Sequence, residues 1–145
     1  MTKAILDSNF LIALIDEKDK WRTTAISIQK VLKKKKARLV YLDCAVNETI
    51  SVIAKRFEEK GRSQEFASAL QKIEQAFPTE SISWMYPEVR RLYPDILAVI
   101  KEHKGQLNFH DALMVLAARE MGISHIVSFD QDFDEVEGID RIGRP

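Results

Sequence analysis

The chain reads as an α/β domain with a mostly parallel central sheet of about five short strands. Three observations lead there. Short apolar runs such as Ala4-Ile5-Leu6 and Leu39-Val40-Tyr41-Leu42 have the length and continuity of strands buried on both faces. Longer stretches with helical spacing of apolar residues separate them. The 145 residues suit one domain spanning 1–145, with no internal repeat, low-complexity tract or linker.

The elements follow in order. Lys3-Ala4-Ile5-Leu6 is a strand ending at Asp7, and Ser8 or Asn9 supplies the cap for a helix through Phe10–Ile15. Asp16–Lys20 is a charged joint. Trp21–Lys35 is helical, with Ala25, Ile28, Val31 and Leu32 on one face. Leu39–Leu42 is the second strand. Asp43 caps a helix to about Glu59, Gly61 ends it, and Arg62–Phe77 forms the next, closed by Pro78. Ser81–Trp84 is a weak third strand. Glu88–His103 is helical with a kink or break at Pro94. Asn108 opens a helix to Met121, ended by Gly122. Ser124–Ser128 is the fourth strand and Ile139–Ile142 the fifth.

Composition excludes several classes. With 46% hydrophobic and 30% charged residues the chain is neither disordered nor unusual. One cysteine, Cys44, rules out a disulfide scaffold and points to a reducing compartment, so the expected location is cytoplasmic. The longest apolar run, Ala112–Ala118, falls far short of the ~20 residues of a membrane span, and no signal-peptide core precedes Asp7. The 22 basic and 22 acidic residues cancel in number but not along the chain. Lys18–Arg38 carries nine Lys or Arg and one acid, while Asp111–Asp140 carries eight acids and one Arg. Either run alone reads as a solvated face.

The acids fall in a pattern. In open α/β sheets, sites lie beyond the carboxyl ends of the strands. Asp7, Asp43 and Asp130 follow strands there. Asp43 reads as a structural cap, and Asp130-Gln131-Asp132 also reads as a turn. Asp111 shares its face with Met114, Val115 and Ala118, and Glu48 lies on an uncharged face with Cys44, Ala45, Ser51 and Val52. Asp111 has the further structural reading of a first-turn acid with Asn108 as cap. Acids on such faces need a partner or a metal, and no basic residue lies near them on those faces: Lys55 is two turns from Glu48, and His110 adjoins Asp111 on a different face. Oxygen-only ligation suits magnesium or manganese, whereas Cys44, His103, His110 and His125 lack zinc-ligand spacing. No phosphate-binding glycine loop and no nucleophile elbow is present. A phospho-acceptor built on Asp7 is disfavoured by Asn9 where a second acid belongs.

These residues resemble a known family. Asp7-Ser8-Asn9 after the first strand, Glu48 in a mid-chain helix, Asn108-Phe109-His110-Asp111-Ala112-Leu113 opening a late helix and Ser128-Phe129-Asp130-Gln131-Asp132-Phe133 after the next strand resemble the PIN-domain nucleases, especially the single-domain VapC-type toxins. The resemblance implies a single-domain α/β/α sandwich and a metal-dependent endoribonuclease. It implies that Asp7, Glu48, Asp111 and Asp130 hold one or two Mg2+ or Mn2+ ions, with Asp132 as a further acid and Ser8 and Ser128 orienting the carboxylates. A metal so held activates water and clamps the phosphate. The resemblance also implies an RNA substrate, a small antitoxin partner and a homodimer, with no membrane. Lys33, Lys34, Lys35, Lys36 and Arg38 are candidates for the RNA backbone, beside the reading that they merely favour a helix C-terminus. Two other expectations stand beside the toxin: an inactive PIN-like interaction module and a housekeeping RNA-processing nuclease.

Overall fold

The first strand, β1 (Lys3–Leu6), is the centre of the sheet, and its composition explains why. Ala4, Ile5 and Leu6 are all buried, so β1 needs a strand on either side and helices over both faces. A computed structural model of the chain describes residues 2–145. After β1 come α1 (Ser8–Ile15), α2 (Arg22–Lys34), β2 (Arg38–Leu42), α3 (Asp43–Glu59), α4 (Phe66–Ala76), β3 (Ile82–Ser83), α5 (Val89–Glu102), α6 (Phe109–Met121), β4 (His125–Val127) and β5 (Asp140–Ile142). All strand pairings are parallel, in the order β3-β2-β1-β4-β5. Ile5 lies opposite Val40 on one side and Ile126 on the other.

This order fixes the layers. The chain steps from β1 to β2 to β3 in one direction, then crosses back past β1 to β4 and β5. Right-handed crossovers therefore put α1–α4 on one face and α5 and α6 on the other. The packing agrees: α1 contacts α2 and α3, α3 contacts α4, and α5 lies along α6. The expected α/β/α sandwich is the fold found. Winding reverses between β1 and β4, which opens a crevice at their carboxyl ends. The Asp7 N–H donates to the Val127 carbonyl at 2.9 Å and closes the β1–β4 ladder at its mouth.

Some details differ from expectation. Arg62 does not begin a helix. Its N–H bonds the Phe57 carbonyl at 2.7 Å across Gly61, whose φ is +65°, so it completes the end of α3. A 3-10 turn at Ser63–Glu65 then leads into α4. Pro94 neither ends nor divides α5. β3 has only two residues. Asp43 is the first residue of α3, not its cap, which is Leu42. Its buried carboxylate accepts the N–H groups of Cys44 (2.9 Å), Met85 (2.8 Å) and Tyr86 (2.7 Å) and ties the start of α3 to the chain leaving β3. Its role is structural, by a different device.

Candidate functional site

Asp7 lies at the switch point and is only 4% exposed. It is itself the cap of α1: Oδ1 accepts the Ser8 N–H at 2.7 Å. The sequence had assigned that task to Ser8 or Asn9. The other oxygen accepts the Ser128 hydroxyl at 2.6 Å. Ser128, fully buried after β4, accepts in turn from Asn9 Nδ2 (3.1 Å) and the Asp130 N–H (3.0 Å). Asn9 Oδ1 receives the Phe129 N–H at 3.2 Å. One network thus fastens the loops after β1 and β4 to each other. Asn9 is the member that sequence reasoning passed over as a cap, although its place two residues beyond Asp7 was the available signal.

Asp111 enters from the first turn of α6 as half of a capping box. Its Oδ2 accepts the Asn108 N–H at 3.0 Å, and its own N–H donates to Asn108 Oδ1 at 2.9 Å. Both readings of Asp111 therefore describe the same residue, since Oδ1 has no protein donor. Glu48 is not buried as its uncharged helix face suggested. Its side chain is 36% exposed, and Oε2 lies 4.0 Å from His110 Nδ1. His110, assigned to a different face from Asp111, meets Glu48 because α3 and α6 converge at the rim. Asp130 caps the 3-10 turn Gln131–Glu135 through the Asp132 N–H at 2.9 Å to Oδ1. Arg141 braces this loop: it donates to the Ser128 carbonyl at 3.0 Å and to both oxygens of Asp134 at 2.8 and 3.0 Å.

The acids influence one another. Burial is the main effect on Asp7 and raises its pKa from 3.8 to about 7, opposed by the Ser128 hydroxyl and aided by the charges of Asp111 and Glu48. Burial likewise raises Asp111 from 3.8 to about 6, opposed by the Asn108 N–H and aided by Asp130, Glu48 and Asp132. The Asp130 charge is the main cause of the upward shift of Asp132. Five carboxylates thus share one electrostatic neighbourhood at the carboxyl edge of β1 and β4. No Lys or Arg pairs with Asp7, Glu48, Asp111, Asp130 or Asp132 among the described residues. Asp16, also buried, shows the contrast. Burial pushes its pKa up, but the hydrogen bonds of Arg62, the Lys18 N–H and Arg56 outweigh that and hold it below the usual range.

This donor set suits a hard divalent cation: all oxygen, net negative, with Asp111 Oδ1, Asp130 Oδ2 and both Glu48 oxygens free of protein donors. As the side chains stand, no three His, Cys, Asp or Glu groups among the described residues are arranged to hold an ion. Repulsion between like charges favours that spacing. The lysine run lies elsewhere. Lys33 and Lys34 end α2, and Arg38 pairs with Lys3 at the start of β2, so Lys33, Lys34, Lys35, Lys36 and Arg38 sit at the amino edge of the sheet, opposite the acids. Density of charge was visible in the sequence, but the edge it occupies was not.

Residues 4–139 match the family described as PIN domain. Comparison with curated proteins gives no match. Two solved structures share the fold. The first is the Mycobacterium tuberculosis toxin VapC20, described as sarcin-ricin loop cleaving. It is 20% identical, with a TM-score of 0.72 over 98% of this chain and 99% of that one. The second is VapBC2 from Rickettsia felis bound to a DNA fragment from its promoter. It is 11% identical, with a TM-score of 0.67 over 97% and 98%. The family match runs from the first strand to the threshold of the last and takes in both loops at the switch point, and by it this chain belongs to the PIN domain family.

Proposed function

We propose that the protein is a metal-dependent endoribonuclease that hydrolyses RNA phosphodiester bonds and acts in the cytoplasm as the toxin of a type II toxin–antitoxin pair. One observation carries this reading. The chain gives its buried Asp16 two arginines, yet leaves Asp7, deeply buried among other acids, with no cation of its own. An adaptor domain has no use for that cost, whereas a cation-dependent enzyme does. No described helix is long and apolar enough to cross a membrane.

The residues divide the work. Asp7, Glu48, Asp111 and Asp130 would hold Mg2+ or Mn2+, with Asp132 at the rim. The ion would supply a Lewis acid for the phosphate and acidify the attacking water. Ser128 fixes Asp7 through its hydroxyl, and Ser8 does so through its backbone N–H. Asn9 locks Ser128 and the Phe129 backbone, so Asp7 and Asp130 keep their spacing. The capping box leaves only Oδ1 of Asp111 without a protein donor. Glu48 stands half-exposed beside His110. The amino ends of α1 and α6 both meet here and favour the phosphate's negative charge.

Purified protein incubated with single-stranded and structured RNA gives cleavage with Mg2+ or Mn2+, none in EDTA, and none from Asp7→Asn. Equal cleavage in EDTA overturns the mechanism. The toxin assignment adds a small antitoxin and a homodimer. Sedimentation reads the dimer, and suppression of cleavage by the product of an adjacent short reading frame reads the antitoxin. If such a frame is missing and induced expression does not arrest growth, the housekeeping nuclease takes its place.

A further inference from the structure

The joint between α1 and α2 brings the chain back to the carboxyl edge of the sheet. There Trp21 stacks on Phe129, with ring centroids 4.6 Å apart and planes 9° from parallel. Phe129 lies between Ser128 and Asp130, its N–H is held by Asn9, and its ring leans on Phe10 at 6.0 Å. The aromatic pair is therefore fixed to both loops that carry the central acids. Phe129 covers one face of Trp21, yet the indole remains 39% exposed.

Beside it opens a cavity of about 340 Å3 that begins at Asn9 and continues along Lys18, Lys20 and Lys60. The acid in its wall, Asp19, is neutralised by Arg56 at 2.7 Å. The three lysines are exposed, and none pairs with a carboxylate among the described residues. Lys20 Nζ lies over the Trp21 ring, 5.7 Å from its centroid. A joint that needed only to pack would bury its tryptophan and would not gather three unpaired ammonium groups. A flat aromatic face beside a basic groove is the combination that holds unpaired bases and their phosphates.

We propose that this groove is a subsite for single-stranded RNA flanking the bond to be cut. One base stacks on the face of Trp21 away from Phe129, moving the Lys20 ammonium off the ring, and the adjoining phosphates lie along Lys18, Lys20 and Lys60. This rests on the ribonuclease reading for its substrate. It also gives the protein the phosphate contacts that the distant Lys33–Arg38 run does not provide.

The test uses the full chain carrying Asp7→Asn to prevent cleavage and Trp84→Phe to leave Trp21 as the only indole. A mixed-sequence single-stranded oligoribonucleotide is expected to quench Trp21 fluorescence, and the same sequence as a duplex to quench it less. Read by the anisotropy of an end-labelled oligoribonucleotide, Trp21→Leu weakens binding ~10-fold, the order expected for loss of one base stack, and Trp21→Tyr restores most of it. Lys20→Glu with Lys60→Glu lowers the slope of log K against log salt by about 0.7 per lost contact. Circular dichroism confirms folding, and if Trp21→Leu is unfolded, the quench and the lysine variants decide. An unchanged Kd in folded Trp21→Leu, or quenching by polyglutamate but not by RNA, overturns the subsite. Quenching by RNA from a protein that does not cleave with Mg2+ leaves the subsite standing and removes the nuclease. Cleavage whose KM ignores Trp21→Leu and the lysine changes does the reverse.

Discussion

Asp7 is at once a helix cap, a hydroxyl's acceptor and a buried charge among charges. The consequence is a pH dependence of opposite sign to that of a paired acid. Without a divalent ion, the folded protein keeps a proton on Asp7 up to about pH 7, whereas the unfolded chain releases it near 3.8. Between those values the unfolded state binds fewer protons, so stability falls as pH rises, by up to about 1.4 kcal/mol per pH unit. The full penalty, of order 4 kcal/mol, is in place above pH 7. Asp7→Asn removes the ionisation while keeping the shape. Urea unfolding in EDTA is expected to give a flatter profile from pH 4 to 8 and a more stable variant at pH 8, in the same protein that has lost cleavage. A variant less stable than its parent at pH 8 contradicts the burial of an unpaired charge.

At the scale of elements, α6 and the joint after α1 hold the site in place. Asn108→Ala breaks the capping box and costs about 1 kcal/mol in thermal or urea unfolding. The Asp111 N–H loses its acceptor while Oδ2 still accepts the backbone N–H of residue 108, so the loosened first turn of α6 lowers activity further than stability alone explains. Asp16→Ala leaves Arg62, a nearly buried guanidinium lying over the Phe57 ring at 4.1 Å, with only Glu65. The expected loss is ~3 kcal/mol by calorimetry, and because the joint also carries Trp21, RNA affinity drops with it. These elements also show what sequence can and cannot reveal. Asp111 was readable because Met114, Val115 and Ala118 mark its face and Asn108 marks the helix start. Glu48 misled because an uncharged helix face does not say where the helix overhangs the sheet. The α3 bridge from Asp43 to Met85 and Tyr86, and the meeting of Trp21 with Phe129, join residues far apart in the chain, and periodicity carries no trace of such contacts. The strands were legible as apolar runs, but β3 shrank to two residues because an edge strand has little to pair with.

At the scale of the molecule, zero net charge is a sum over two ends. The acids crowd the carboxyl edge of the sheet, and the Lys33–Arg38 run faces away at the amino edge. A divalent cation should therefore act on the whole fold. At a concentration ~100 times Kd, Mn2+ adds about 2.7 kcal/mol to stability, or roughly 5–10 °C in Tm for a chain of this size, and Asp7→Asn abolishes most of the shift. A parent protein whose melting ignores Mn2+ is an interaction module and not an enzyme. The shape of the sheet bears on partners as well. Its margins are β3, with two residues, and β5, with three. An incoming strand finds too few open N–H and C=O groups there to add itself to the ladder. Whatever silences or pairs with this protein has to grip its helices or reach over the rim with side chains, so recognition depends on surface chemistry that substitutions can retune one residue at a time.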